Sequence, residues 1–64
     1  MNKKALFLAD KAHAMEQLSL AEELEEQGYD LYATGETVLL FNMNMIAASV
    51  FLGDQTSQFD CIIH

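Results

Sequence analysis

Leu31-Tyr32-Ala33-Thr34-Gly35-Glu36-Thr37 decides how this chain is read: three residues suited to a strand run into Thr-Gly-x-Thr, and the apolar segment Val38-Leu39-Leu40-Phe41 follows. That succession is what a strand-to-helix turn looks like. The first amides of a helix lack an intrahelical partner and carry the positive end of the helix dipole, so an anion seated there is stabilised. Thr34 and Thr37 add hydroxyl donors, and Gly35 leaves the backbone open to close approach. Thr is also an ordinary N-cap and Gly an ordinary turn residue, so the plainer reading is a helix start that binds nothing.

Working outward, Ala5 to Ala9 is a short continuous apolar run after two lysines, as expected of a strand buried on both faces of a parallel sheet. From Ala12 to Gln27 the apolar Ala14, Leu18, Ala21 and Leu24 recur at spacings of three and four, with glutamates between them, which predicts an amphipathic helix. Gly28 suits the left-handed residue that closes it, and Leu31 to Ala33 forms the next strand. Glu36 to about Asn42 predicts a second helix, too apolar to show a polar face. Met43 and Asn44 turn the chain. Ile46 to Leu52 reads as a third strand, Gly53 to Gln58 as a polar loop and Phe59 to Ile63 as a fourth strand.

These elements, in the order β-α-β-α-β-β, make an α/β domain with a small open Rossmann-like sheet in two or three layers. A parallel crossover needs a dozen or more residues, whereas only six separate the last two strands. The final strand is therefore expected to fold back antiparallel to Ile46–Leu52 or to pair with another copy of the chain. Lys11 follows the first strand and Thr34 the second, so adjacent parallel strands would bring a cation and a helix amino end to one edge.

The 64 residues make one domain at most, and a chain this short buries only about 60% of the surface its unfolded state exposes. Its core is small, and self-association is the expected remedy, because a lone Cys61 excludes an internal disulfide and suggests a reducing compartment. The 52% hydrophobic content is far from that of a disordered chain. Three lysines against ten acidic residues leave a net charge of -7, which repels nucleic acid and anionic membranes alike. The apolar run after Lys3 and Lys4 ends at Asp10, too soon for a signal peptide, and Val38 to Leu52 is too short and too interrupted to span a bilayer. A cytoplasmic protein with neither nucleic acid nor membrane as partner is expected.

Several of these segments together resemble the methylglyoxal synthase-like domain, found as the free lyase and as modules of carbamoyl phosphate synthetase (large subunit) and of the bifunctional IMP cyclohydrolase enzyme. Ala5-Leu6-Phe7-Leu8-Ala9-Asp10-Lys11 is similar to its first strand and turn, Ala21-Glu22-Glu23-Leu24-Glu25-Glu26-Gln27-Gly28-Tyr29 to its first helix end, and Leu31 to Thr37 to its phosphate turn. Gly53-Asp54-Gln55 and Phe59-Asp60-Cys61-Ile62-Ile63 look like the lyase's Gly-Asp-Gln-Gln loop and following strand. The likeness covers most of residues 1–64, as a single shortened copy. It implies a phosphate pocket at the carboxyl ends of the strands, with Lys11, Thr34, Gly35 and Thr37 at phosphate-binding positions. Asp54 matches the carboxylate that moves protons on dihydroxyacetone phosphate before phosphate elimination.

Departures from the family weigh against turnover. Ala9 lies near the place of the lyase's histidine, and no aromatic-Asp-Pro segment follows the fourth strand. Glu36 stands where the family has a small or neutral residue, and its carboxylate would oppose a bound phosphate. The favoured expectation is a regulatory module that binds a phosphorylated metabolite or inorganic phosphate. Two others stay open: an oligomer-forming interaction module without a small-molecule ligand, and a methylglyoxal synthase-type lyase. No metal or other cofactor is expected, since Cys61, His13 and His64 show no ligand spacing. The run Glu22 to Glu26 reads as a solvated helix face ahead of a contact for a basic partner, and Met43 and Met45, with Phe41 and Phe51, read as core ahead of a sticky surface.

Overall fold

The computed structural model describes residues 3–53 and 56–64, and for Lys11 the backbone only. Strand β1 (Lys4–Phe7) is followed by helices α1 (Lys11–Glu16) and α2 (Leu18–Glu26), strand β2 (Asp30–Ala33), helix α3 (Gly35–Met43), and strands β3 (Ser49–Val50) and β4 (Cys61–Ile63). The four strands form one sheet in the order β3-β2-β1-β4, and every pair is parallel.

The apolar run of β1 explains its central place. Ala5, Leu6 and Phe7 are wholly buried, with β2 bonded on one side and β4 on the other. Alternation along the strand sends Ala5 and Phe7 to one face and Leu6 to the other. On the first face they join Leu31 and Ala33 of β2, and the helices cover them with Ala14, Ala21, Leu24, Val38, Leu40 and Phe41. Phe7 and Phe41 meet edge to face with ring centres 5.0 Å apart. On the second face no helix packs. There Tyr32 contacts Phe59 at 5.3 Å and Phe59 contacts Phe51 at 5.4 Å, so Phe51 and Phe59, from the segments flanking β3 and β4, lie across this side as a strap.

Several sequence expectations are corrected, among them the core reading of Met43 and Met45, which are 81% and 92% exposed. The last strand is neither antiparallel nor dependent on another copy: it pairs in parallel with β1 of its own chain, so the order is β-α-α-β-α-β-β. The parallel crossover is possible because the strands are shorter than expected. Ile46 is buried at the close of α3, β3 keeps only Ser49 and Val50, and Phe59 and Asp60 belong to the strap, so ten residues connect the strands instead of six. Crossing three strand spacings takes about 14 Å, within reach of ten extended residues at about 3.3 Å each, and no helix is needed. The strap is fastened at its far end, where Asp60 N–H donates to the Lys4 carbonyl and Lys4 N–H donates to the Asp60 carboxylate, both at 2.8 Å.

The helix expected over Ala12 to Gln27 is also broken in two. Gln17 N–H turns back to the Ala14 carbonyl, and its side chain donates to the His64 carbonyl at 3.1 Å instead of pointing along a continuous helix. Gly28 closes α2 with φ 91, the left-handed geometry that glycine adopts without penalty.

Removing the ring that seals the helix face should be severe: Phe41→Ala is expected to cost ~3–5 kcal/mol. A chain of this size has roughly 3–10 kcal/mol in total, so urea denaturation should find the variant largely unfolded.

Candidate functional site

The chain steps outward from β1 through β2 to β3 and then returns to place β4 on the other side of β1. Open α/β sheets bind ligands beyond the carboxyl ends of the strands, where the order reverses in this way. Three segments meet at that edge: Leu8–Asp10 after β1, Thr34–Thr37 after β2, and His64 after β4. Leu8 N–H donates to the Ile63 carbonyl at 2.8 Å, closing the sheet at the reversal. Thr37, fully buried, donates its hydroxyl to the Ala9 carbonyl at 3.4 Å and so ties the start of α3 to the β1 loop.

The two helix starts at this edge differ. Asp10 caps α1, its carboxylate accepting the His13 amide at 3.0 Å, so that helix end already holds an anion. Thr34 takes the N-cap position of α3 with extended backbone but makes no side-chain bond to the helix amides. Its hydroxyl donates instead to Thr37 Oγ1 at a long 3.4 Å. Gly35 faces open space, for a Cβ built there would meet nothing within 4 Å. The amino end of α3 is thus accessible and uncapped by its own residue, with Glu36 exposed in the first turn.

Of the residues expected to bind, Thr34 and Gly35 lie exposed at this edge, whereas the Thr37 side chain is closed off and positions the turn. Lys11 opens α1 at the same edge, its side chain lying outside the described residues. Asp54 also lies outside them. Sequence reasoning passed over Asp10 and Gln17. Asp10 was detectable, because an Asp immediately before a helical run is a standard start signal; Gln17 carries no helix-breaking signal at all.

Asp10 and His13 form an exposed pair in which Nδ1–H donates to the carboxylate at 2.8 Å. Hydrogen bonding from the His13 amide, then from its ring, holds the Asp10 carboxyl below its usual range, and the bond to Asp10 raises the His13 imidazole. A hollow of about 600 Å³ opens away from this edge, at the other end of the sheet between the amino ends of β2 and β3, and includes Glu25, Tyr29 and Tyr32. Its groups are engaged within the chain. Glu25 accepts the Ala47 amide at 2.8 Å, while the Lys3 and Lys4 ammonium groups stand 6.0 and 5.7 Å from the Tyr29 and Tyr32 rings.

Among the described residues no three His, Cys, Asp or Glu side chains converge as a metal site would, and no helix is long and apolar enough to cross a membrane. Compared with known protein families, curated proteins and solved structures, the chain matches none.

The Asp10–His13 pair sets a pH window. The raised imidazole adds stability that is complete below 6.5 and lost as pH rises through the folded midpoint; the lowered carboxyl adds stability present above 3.8 and lost as pH falls. NMR titration should place the His13 midpoint above 6.5, and Asp10→Asn should bring it back down. An unchanged midpoint in that variant would show that the pair does not form.

Proposed function

We propose that this chain is a small regulatory module that binds a phosphorylated metabolite or inorganic phosphate at the start of α3. The observation that supports this most directly is the open amino end of that helix, which its own N-cap residue leaves unbonded. Phosphate oxygens would accept from the first-turn amides, where the helix dipole adds attraction, and the Thr34 hydroxyl is placed to donate beside them. Thr37 holds this turn against the Ala9 carbonyl, so the amides are presented on a fixed edge. Lys11 contributes its ammonium from the next helix start in this reading, while Glu36 and Asp10 work against dianions and keep affinity modest.

The likeness to methylglyoxal synthase-like domains supports the same turn, through Thr34, Gly35 and Thr37. Binding without turnover is the form of it proposed here, because Ala9 stands near the place of the lyase's histidine. The lyase alternative requires that dihydroxyacetone phosphate yield methylglyoxal and that Asp54→Asn abolish it. A second reading, self-association, is favoured by β4, which pairs with β1 on one side only and keeps Ile62 partly exposed.

Amide NMR with millimolar inorganic phosphate, then dihydroxyacetone phosphate, should shift residues 35 to 37 first. Gly35→Ala separates function from folding: it should raise stability by ~0.4–1 kcal/mol, since the site accepts a Cβ, yet weaken anion binding by crowding the amides. Glu36→Gln should strengthen binding and Lys11→Ala should weaken it. No shift at these amides, or equal responses in all three variants, would remove the proposal.

A further inference from the structure

We propose that the outer face of α3, beside the acidic end of α2, docks a basic amphipathic helix from another protein. Helices α2 and α3 end in the same hydrogen-bonded motif. At the first, Gly28 N–H donates to Glu25 and Tyr29 N–H to Leu24, with Gly28 left-handed; at the second, Met45 N–H donates to Asn42 and Ile46 N–H to Phe41, with Met45 in glycine's place at φ 64. An L side chain in that conformation works against the fold. Met45 recovers nothing by burial, for its side chain is 92% exposed. A glycine would serve the turn better, so the methionine is explained by what it presents outward.

Met45 does not stand alone. Leu39 and Met43, one turn apart on one face of α3, are 64% and 81% exposed, and Met43 lies two residues before Met45. The hydrogen bond from Ala47 to Glu25 brings the glutamates at the end of α2 next to the Met45 turn. Charge then selects the occupant. From Ala12 through Met45 the chain contains no Lys or Arg, while Glu16, Glu22, Glu23, Glu25, Glu26 and Glu36 are all carried on the three helices. A second copy meeting this face would bring glutamate against glutamate, and nucleic acid or anionic lipid would be repelled likewise. A helix with leucines along one side and lysines or arginines along its flanks fits both features: methionines adapt to its apolar side, and the carboxylates steer and orient it.

The test uses the whole chain and a synthetic leucine-lysine amphipathic peptide about five turns long. Methyl NMR should show Met43 and Met45 shifting on titration, with affinity falling as salt rises. Met45→Gly should raise the thermal midpoint and weaken binding about tenfold; Leu39→Gln, at an exposed position, should weaken binding with the fold intact. The same peptide with glutamate for lysine should not bind. The proposal is overturned if the glutamate peptide binds equally, if neither variant changes affinity, or if sedimentation shows that Met43 and Met45 are instead covered by a second copy.

Discussion

Everything in this fold hangs on the burial and double pairing of β1. Four residues supply backbone bonds to β2 on one side and β4 on the other, while Ala5, Leu6 and Phe7 are removed completely from water. A strand used in this way must be apolar on both faces, and both faces must then be covered. The helices cover one through Phe41 against Phe7. The other is closed more cheaply, by Phe51, Phe59 and Tyr32 in an irregular strap that Asp60 pins to Lys4.

Parallel pairing also decides where chemistry can occur. It forces the segments leaving β1 and β2 to emerge at the same edge, so the starts of α1 and α3 become neighbours without any dedicated contact. Thr37 makes the neighbourhood firm by bonding across to Ala9. The asymmetry between the two helix starts is then electrostatic. Asp10 neutralises one dipole from within the chain, and the other is left for solvent or a ligand.

The local periodicities were legible: a continuous apolar run for β1, three-and-four spacing for the helix ending at Gly28, and Thr-Gly-x-Thr for the start of α3. What escaped reading depended on hydrogen bonds and packing that the residue pattern does not signal. Ile46 reads as a strand residue, but its amide bonds to Phe41 and its side chain is buried at the end of α3, which shortens β3. Phe59 reads as strand for the same reason, being apolar, yet it packs edge to face with the rings of Tyr32 and Phe51 over the sheet's second face. Once those two strands shrink, the connection lengthens enough to reach the opposite side of β1. The paired helices met the same limit, because Gln17 breaks the helix by reaching for His64, a residue no local pattern could nominate. At the candidate site, Thr34 and Gly35 were visible as turn chemistry, whereas the inward direction of Thr37 required the position of Ala9.

The pairing of Ala5 with Cys61 spans nearly the whole chain. A ribosome delivers β1 well before β4, so the central strand must wait with one side unsatisfied until β4 has emerged. Loop closure over that distance makes folding slow relative to helical chains of equal size, and the nascent β1 is meanwhile an adhesive segment. The two lysines at its leading end, together with the carboxylate-rich helices that follow, would keep that waiting state dispersed until its final partner arrives.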